Sequence, residues 1–470
     1  MIPDELRSVH FIGIGGINMS GVAKLLKRAG VSVSGSDVEA SEVTSELERL
    51  GIEVFIGHNK QNLGPNVDLV IYSSAVPQFN PERAEARKRN LPQLTNFQFL
   101  GEYTKNKKVI LVCGTHGKST TTSMLGLMLE AGGRDPNVIV GSRVPSFPDK
   151  NVRFGRSDIF VIEGDEYARH FLEFQPYAVV LNNIELDHVD VFKDLESMMD
   201  AFRELLSKIQ TNGILIANAD DKNVQTLIGQ ERSNLEAKNI TIKTFGFGSH
   251  ATQQILDYSV HPGEQSFALK NIHGLVTRFR LHIPGRMNVM NAAGALSLAF
   301  HAGILPEDLQ NAVESFEGIW RRFEKVAEKD GIIVISDYGH HPTAVRETLE
   351  ATKRFYPGRR VVLCFQPHHR NRTKHLFDEF IPSFDEADML LLTEIYDVAG
   401  RDEKDDVNIS SRDLQEAVLR HDADRMVHRV VEYADDPEAA LEMLQRWAEP
   451  RDIILVMGAG DIYKIAKKVI

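Results

Sequence analysis

The chain contains 470 residues, of which 42% are hydrophobic and 26% are charged, and its formal net charge is −12 at pH 7. It is longer than one ordinary domain of roughly 100–200 residues, and its composition argues against a disordered protein. The acidic balance disfavours general nucleic-acid binding because it repels phosphate backbones.

Cysteine content and hydropathy exclude further classes of protein. Cys113 and Cys364 are the only cysteines, which excludes a disulfide scaffold and a multi-cysteine metal site. No uncharged apolar run approaches the roughly 18 residues of a membrane span, and the acidic first residues differ from the basic start of a signal peptide. We therefore expect a cytoplasmic multidomain protein that binds neither nucleic acid nor a membrane.

Short apolar runs alternate with amphipathic helical patterns along the whole chain, which is typical of α/β proteins. After the first run, the pattern predicts a helix over 20–29 with Gly30 as its C-terminal cap. Runs this apolar suit strands buried on both faces of mostly parallel sheets. The segment 246–282 instead alternates polar and apolar residues, which predicts an antiparallel excursion. The predicted strands end in the runs 11–14, 69–72, 109–112, 159–162, 178–181, 332–335, 361–364, 389–392 and 453–456.

Glycine-bearing turns between a strand and a helix recur near Gly13, Gly114 and Gly458. This recurrence favours three separately wound sheets over one large sheet. The polar stretch 104–107 and the segment 318–322, which lies between a helix and a strand, mark the boundaries. The predicted α/β fold has three domains, each a mostly parallel sheet with flanking helices: a Rossmann-like domain at 1–104, a central domain at 105–318 and a Rossmann-like domain at 319–470.

The clearest functional signal is the segment Gly-Thr-His-Gly-Lys-Ser-Thr-Thr-Thr at 114–122, which follows an apolar strand and precedes a helix over 123–131. In a phosphate-binding loop, glycines let backbone N–H groups approach phosphate oxygens, and the helix N-terminus and a lysine supply positive charge. Val112 stands where the usual pattern begins with glycine, so this loop is a shortened variant. A plain turn would not require Gly-Lys-Ser before three threonines. The predicted ATP-binding residues are Gly114, Thr115, His116, Gly117, Lys118, Ser119 and Thr120.

Two residues of this loop carry specific expectations. Lys118 adds a full positive charge, and the hydroxyl of Ser119 is placed to bind Mg²⁺. We expect Lys118 to face solvent, so that Lys118→Ala abolishes turnover while leaving the fold intact.

Acidic clusters follow the next two predicted strands, at 163–166 and 182–190. Because ligands gather beyond the carboxyl ends of parallel strands, both clusters should face the crevice of the phosphate loop. Glu163 can supply an oxygen to ATP-bound Mg²⁺, and His188 can be an imidazole ligand to a second metal. Each cluster alone would more often be a solvated loop, but its place beside the phosphate loop favours a metal site.

A glycine-rich segment at 13–21 resembles a dinucleotide-binding fingerprint, although Asn18 occupies the position of the third glycine. Asp37 ends the next strand, where a ribose-binding acid would lie. A nucleotide diphosphate at the helix N-terminus explains the glycines without a nicotinamide cofactor. A dehydrogenase site and a plain tight turn are the alternatives.

The last third of the chain has two polar segments, 336–343 and 365–373, that each follow an apolar strand and precede a helix. Pro342 suits the first turn of a helix. Arg370 and Arg372 can each bind a carboxylate by two hydrogen bonds. Clustered His and Arg residues are usually solvated, but two strand ends of one sheet favour an anion pocket.

Taken together and in order, these segments resemble the Mur ligase family, most closely its branch that adds L-alanine to UDP-N-acetylmuramic acid. The resemblance implies an ATP-dependent ligase that forms this amide through an acyl phosphate in peptidoglycan precursor synthesis, with ATP and Mg²⁺ as cofactors. We expect a monomer or a weak homodimer. The segments that carry the resemblance are 10–21, 34–37, 73–75, 114–122, 163–166, 182–190, 286–291, 320–324, 337–343 and 366–373.

The resemblance also implies that the first domain holds the UDP sugar, the central domain is the ATPase and the third brings the amino acid. The implied catalytic residues are Lys118, which would contact the β- and γ-phosphates, with Glu163 and His188. The implied magnesium ligands are Ser119, Glu163 and His188. The implied ligands of the UDP sugar are Gly13, Gly15, Gly16, Asp37, Ser73 and Ser74. Further ATP contacts would be Asn291, Arg322 and Asp337, and the alanine would be held by Tyr338, His340 and Arg372, with Arg372 on its carboxylate.

Several residues depart from the family pattern and keep alternatives open. His369 and Arg370 replace an arginine and a tyrosine of the usual segment, and Tyr167 resembles the ligase that recycles murein tripeptide. Arg203 stands where some Mur ligases carry a carbamylated lysine, but both nearer relatives lack that lysine too. The alternatives are therefore the tripeptide recycling ligase, a nucleotide-binding regulator without ligase activity, and a nicotinamide dehydrogenase.

Overall fold

The computed structural model describes residues 6–397 and 409–470. The first residues, to which the signal-peptide expectation refers, lie outside this part of the chain. Within it, no helix is both long enough and apolar enough to cross a membrane. The strands form three sheets of five, ten and six strands, and most of their pairings are parallel. The predicted three-sheet α/β fold is therefore confirmed.

The first sheet is entirely parallel, with the spatial order β3-β2-β1-β4-β5. Its middle strand is buried on both faces, as its apolar sequence predicts. The strands are β1 Ser8–Ile12, β2 Ser32–Asp37, β3 Glu53–Ile56, β4 Leu69–Tyr72 and β5 Gln93–Thr95, and the helices are α1 Ile17–Arg28, α2 Glu42–Arg49, α3 Pro81–Lys88 and α4 Asn96–Tyr103.

The second sheet has the order β15-β14-β13-β12-β11-β10-β6-β9-β7-β8. Its centre is parallel, and β13 to β15 form the predicted antiparallel excursion, although β13 joins β12 in parallel. The strands are β6 Lys108–Cys113, β7 Asn137–Ile139, β8 Val152–Arg153, β9 Ile159–Glu163, β10 Ala178–Leu181, β11 Ile214–Asn218, β12 Thr241–Gly246, β13 Gln253–His261, β14 Glu264–Asn271 and β15 Val276–Leu281. The helices are α5 Lys118–Ala131, α6 Leu195–Lys208, α7 Lys222–Ala237, α8 Arg286–His301 and α9 Pro306–Glu314.

The third sheet has the order β16-β17-β21-β18-β19-β20, and only its edge strand β16 pairs antiparallel among the described residues. The strands are β16 Glu324–Lys329, β17 Ile332–Asp337, β18 Val361–Phe365, β19 Met389–Thr393, β20 Val430–Ala434 and β21 Ile453–Met457. The helices are α10 Pro342–Phe355, α11 Arg370–His375, α12 Phe377–Ser383, α13 Ser411–Asp424, α14 Pro437–Trp447 and α15 Tyr463–Ala466.

Two helices begin earlier than their hydrophobic patterns predict. Helix α1 begins at Ile17, and α5 begins at Lys118, because Gly117 at φ +80° ends the loop and forms the N-cap. The hydroxyls of Thr122 and Ser123 donate to carbonyls four residues earlier, so these polar residues fit inside the helix. The phosphate loop therefore leads directly into α5.

The three sheets are held together by packing and by hydrogen bonds. One apolar cluster runs from the first sheet into the second, and the rings of Phe97 and His170 stack at 4.4 Å between them. Lys24 donates to the side chain of Asn151 at 2.9 Å, which fixes α1 to the second domain. Ser142 donates to the carbonyl of Trp320 at 2.9 Å, which fixes the start of the third domain to the second. These contacts fix the first domain to the second and the second domain to the third, with clefts between neighbouring domains.

Candidate functional site

The phosphate loop turns between β6 and α5 with two glycines at positive φ. Gly114 has a φ of +131°, and a Cβ there would lie 2.9 Å from the carbonyl oxygen of Asn183. At Gly117, a Cβ would collide with the side-chain amide of Asn291, for which the family resemblance implies a contact with ATP. Both glycines are therefore required by close packing.

The loop end after β10 braces the phosphate loop. Asn183 accepts from the N–H of His116 at 2.8 Å, and Asn182 donates to the hydroxyl of Thr121 at 3.0 Å. Thr115 donates to the carbonyl of Glu185 at 2.8 Å. The two segments that the sequence placed at one sheet edge therefore contact each other.

Lys118 is not solvent-facing, so that expectation was wrong. Its side chain is 14% exposed, and its Nζ donates to Glu166 at 2.8 Å and to the carbonyl of Gly114 at 2.7 Å. Burial opposes the charged ammonium, but the charge of Glu166 and the hydrogen bond to it outweigh burial and raise the pKa of Lys118. The sequence could not reveal this partner, because Glu166 is 48 residues away.

Glu163 ends β9 beside the phosphate loop. Ser119 donates to its Oε1 at 2.9 Å, and the N–H of Gly141 donates to its Oε2 at 2.7 Å. Burial raises the pKa of the Glu163 carboxyl, and the positive charge of Lys118 opposes this rise. Gly141 was not predicted, because a backbone donor has no sequence signature.

His188 lies on the other side of Glu166, with its Nε2 3.5 Å from Glu166 Oε1. Burial lowers the pKa of His188, but the charges of Asp187 and Glu166 outweigh it, so the pKa is raised. Among the described residues, the Nδ1 of His188 and the Oε2 of Glu166 are buried without a hydrogen-bond partner. Separately, the hydroxyl of Ser119 and the carboxylate of Glu163 lie 2.9 Å apart and offer oxygen donors of the kind that a hard cation prefers.

Arg372 reaches from α11 in the third domain to Asp187 in the second. Its Nε and Nη2 lie 2.9 and 2.8 Å from Asp187 Oδ1, and both side chains are almost fully buried. Burial opposes ionisation of Asp187, but the charge of Arg372 holds its pKa well below the usual range. Arg370 points elsewhere, to Glu394 and Asp397, so only one of the two predicted arginines faces this cleft.

His340 lies beside this ion pair, and Tyr338 packs against His340. His340 Nε2 is 3.8 Å from Asp187 Oδ2, and its ring packs edge-on against Tyr338 at 5.3 Å. Burial, reinforced by the charge of Arg372, lowers the pKa of His340 to about 3. The imidazole is therefore neutral at physiological pH.

A cavity of about 330 Å³ lies between the second and third domains. Its wall includes Asp337, which accepts from the N–H groups of Phe323 and Gly339 at 2.7 Å each. Burial raises the pKa of Asp337, against the charge of Arg322. The aromatic and amide groups around the cavity suit a flat base with polar edges. The lining includes His116, Gly117, Thr120, Asn182, Phe245, Phe247, Asn291, Arg322, Asp337 and Thr343.

The predicted residues of the first domain meet at the carboxyl edge of its sheet. The N–H of Gly15 donates to Asp37 Oδ2 at 2.7 Å, and Gly16 is the N-cap of α1. Gly13 has a φ of +83°, and a Cβ there would lie 3.1 Å from Cβ of Ser73. Ser74 follows in the same loop and is exposed.

Among the described residues, His116, Glu185 and His341 form a group whose ligand atoms all lie within 4.8 Å of one another. However, Glu185 Oε2 pairs with His116 Nε2 at 2.9 Å, and its Oε1 accepts from Thr343 at 2.7 Å. Burial opposes ionisation of Glu185, but the hydrogen bond from His116 lowers its pKa to about 2. The group therefore works as a polar contact between domains rather than as an open metal site.

Three protein-family descriptions together match most of the chain. The Mur ligase family catalytic domain matches residues 8–108, the Mur ligase middle domain matches 112–299, and the Mur ligase glutamate ligase domain matches 321–460.

Individual relatives resemble nearly the full chain. The UDP-N-acetylmuramate–L-alanine ligase of Acetivibrio thermocellus is 38% identical over 99% of this chain and 96% of its own length, and that of Solibacter usitatus is 39% identical over 98% and 94%. The crystal structure of the UDP-N-acetylmuramate-alanine ligase of Thermotoga maritima has a TM-score of 0.82 at 27% identity, covering 98% of both chains. A murein peptide ligase of Psychrobacter arcticus, at 23% identity and a TM-score of 0.71 over 98% of both chains, shares the fold.

Proposed function

The chain belongs to the Mur ligase family, and we propose that it is an ATP-dependent ligase that joins L-alanine to the carboxylate of UDP-N-acetylmuramic acid in peptidoglycan precursor synthesis. The observation that carries the proposal is a continuous row of charged groups between the phosphate loop and the third domain. Lys118 meets Glu166 at 2.8 Å, His188 lies 3.5 Å from Glu166, and Arg372 closes the row on Asp187 at 2.8 Å. This row supports an ATP site and an acceptor site that open on one cleft.

The reaction has two steps. An oxygen of the muramoyl carboxylate attacks the γ-phosphorus of ATP, a P–O bond forms, and ADP leaves. The amine of alanine then attacks the acyl carbon, the C–O bond breaks, phosphate leaves with that oxygen, and the amine loses a proton. Because two anions must meet in the first step, Lys118 and the N–H groups of the loop have to offset their repulsion.

The oxygen donors of Ser119 and Glu163 support a magnesium site. Ser119, Glu163 and His188 are the residues that would hold it, with oxygen donors predominating. When bound, Mg²⁺ neutralises charge on the phosphates of ATP. Glu163 must be ionised for this, and its raised pKa places that ionisation closer to neutral pH than for an ordinary glutamate.

The remaining substrates are assigned by position. The N-terminus of α1 carries partial positive charge beside Gly15 and Gly16, which supports binding of the UDP diphosphate in the first domain. The cavity between the second and third domains would take the adenosine, with Asn291, Arg322 and Asp337 in its wall. Tyr338, His340 and Arg372 would hold the alanine. The domain ranges 1–104, 105–318 and 319–470 carry these three tasks.

The Arg372 guanidinium, beside the neutral imidazole of His340, would orient a small amino acid by binding its carboxylate. Arg372 is already paired with Asp187, so the alanine carboxylate must share the guanidinium or displace Asp187 from it. We place the reaction in the cytoplasm, where ATP is available, and we propose a monomer or a weak homodimer.

A competition assay tests the acceptor. Purified protein receives ATP, Mg²⁺ and UDP-N-acetylmuramic acid with either labelled L-alanine or labelled L-alanyl-γ-D-glutamyl-meso-diaminopimelate, and the sugar nucleotide is analysed for label. We expect incorporation of alanine, with glycine and L-serine as size controls. Incorporation of tripeptide alone would reassign the chain to the recycling reaction, the alternative to which the residue type at Tyr167 points. ATP hydrolysis unaffected by both acceptors would indicate a regulator.

A further inference from the structure

The carboxylate of Glu185 contacts two domains at once. It follows β10, and its Oε2 pairs with His116 Nε2 at 2.9 Å in the phosphate loop. Its other oxygen, Oε1, accepts from the hydroxyl of Thr343 at 2.7 Å in the third domain. We call this arrangement of His116, Glu185 and Thr343 the Glu185 bridge.

On the side of the second domain, the bridge is hydrogen-bonded to the phosphate loop. Thr115 donates through its hydroxyl to the carbonyl of Glu185 at 2.8 Å and accepts from the N–H of Glu185 at 2.9 Å. This reciprocal pair ties the backbone of Glu185 to the backbone of the loop. A shift of the loop on nucleotide binding would therefore be passed to the carboxylate.

On the side of the third domain, the bridge ends on the first turn of α10. The N-cap of that helix is His341, whose Nδ1 accepts from the N–H of Thr343 at 3.3 Å. Partial positive charge at a helix N-terminus favours a carboxylate there. Because Tyr338 and His340 lie just before this helix, its position sets the position of the alanine pocket.

The chemistry of Glu185 suits reversible docking. The hydrogen bond from His116 outweighs burial and lowers the pKa of Glu185 to about 2, so its contacts are charge-assisted at physiological pH. Its side chain is 36% exposed, so both contacts can break without leaving a buried charge. A fully buried group would make such a contact permanent.

We infer that Glu185 is a positioning residue that couples the phosphate loop to the docking of the third domain, so that ATP binding fixes the alanine pocket. This inference rests on the proposed function for its substrates. With this coupling, the acceptor would be held against the acyl phosphate only when nucleotide is present. Such timing would limit hydrolysis of the acyl phosphate by water.

Substitutions separate the two halves of the bridge. Thr343→Val removes only the hydrogen bond between the Thr343 hydroxyl and Glu185. Glu185→Gln removes the negative charge of the side chain and keeps its shape. Thr352→Val is the matched control, because this threonine lies in the same helix but its hydroxyl donates to the carbonyl of Thr348. All variants are intact chains.

The readouts are MgATP affinity, steady-state kinetics and the distance between two labels. Arg232→Cys on α7 and Arg420→Cys on α13 provide exposed labelling positions on the second and third domains. Both native cysteines are buried, so labels react at the introduced positions. Pulsed electron resonance then measures the distance with and without MgATP.

We expect MgATP to shorten or narrow the label distance in the wild type and in Thr352→Val, but not in Thr343→Val or Glu185→Gln. In Thr343→Val, the KM for alanine should rise about tenfold, the factor of one charge-assisted hydrogen bond. Because Thr343 also lines the cavity assigned to the adenosine, the Kd of MgATP is measured separately, and it should rise by a smaller factor than the KM for alanine.

Other outcomes overturn one proposal or both. An equal response to MgATP in all four proteins, or a response in none of them, would overturn the coupling role of Glu185 alone. MgATP binding without ligation in the wild type would overturn the proposed ligase function while leaving the distance measurement readable. Failure of the wild type to bind MgATP would overturn both.

Discussion

Lys118→Ala is expected to destabilise the second domain as well as remove activity. The ammonium lies 2.8 Å from Glu166 Oε1, and the two side chains are 14% and 1% exposed. Removing one partner of a buried ion pair costs about 3–5 kcal/mol, because the other charge is left unpaired. His188 Nε2, 3.5 Å from the same oxygen, offsets part of that charge, so we expect a loss of about 3 kcal/mol.

A double-mutant cycle separates this stability effect from catalysis. Urea unfolding, followed by circular dichroism and by hydrogen exchange in α5, compares the wild type with Lys118→Ala, Glu166→Gln and the double variant. We expect a coupling energy of about 2–3 kcal/mol, so that the double variant regains most of the lost stability but no ligase activity. Wild-type stability of Lys118→Ala would refute a desolvated pair, and ligation by the double variant would refute the role of Lys118 at the phosphates.

Three more expectations concern the remaining sites. Arg372→Lys keeps the charge but loses the two-point contact, so the KM for alanine should rise at least about tenfold while that for ATP changes little; equal changes in both would contradict the assignment. The pKa values of His340 and His341 are about 3 and 4 in the folded protein, against about 6.5 in an unfolded chain, so the unfolded chain binds more protons between these values. Stability should therefore fall as the pH drops below about 6.5, by about 1.4 kcal/mol per pH unit for each histidine, and urea titrations of His341→Asn should show a flatter dependence. Asp37→Asn weakens the acceptor of the Gly15 N–H, so it should raise the KM of the sugar nucleotide and leave the ATP affinity unchanged in calorimetry.

The sheet strands and the phosphate loop follow from local sequence. A strand such as β10 is apolar on both faces, so its sequence predicts a central strand of a parallel sheet. The phosphate loop is equally local, because two glycines and Lys118 lie within five residues of one turn. By contrast, the edge strand β16 has the charged sequence Glu-Lys-Val-Ala-Glu-Lys, in which no apolar run or alternation predicts a strand.

Partners far apart in sequence were not predictable. The sequence placed Arg372 near an anion but could not reveal Asp187, which lies 185 residues away and on another domain. The exposure of Lys118 was misjudged for the same reason, since a loop lysine without known partners looks solvated. The contact between Glu185 and Thr343, 158 residues apart, likewise depends on how the domains pack.

The most direct test of the proposed chemistry follows one oxygen atom. UDP-N-acetylmuramic acid labelled with ¹⁸O in its carboxylate is incubated with ATP, Mg²⁺, L-alanine and the protein, and the released phosphate is analysed by mass spectrometry. Attack of the carboxylate on the γ-phosphorus predicts one carboxylate oxygen in each phosphate released, matched by one new amide. Phosphate free of label would mean that water, and not the substrate acid, receives the phosphoryl group in this cleft.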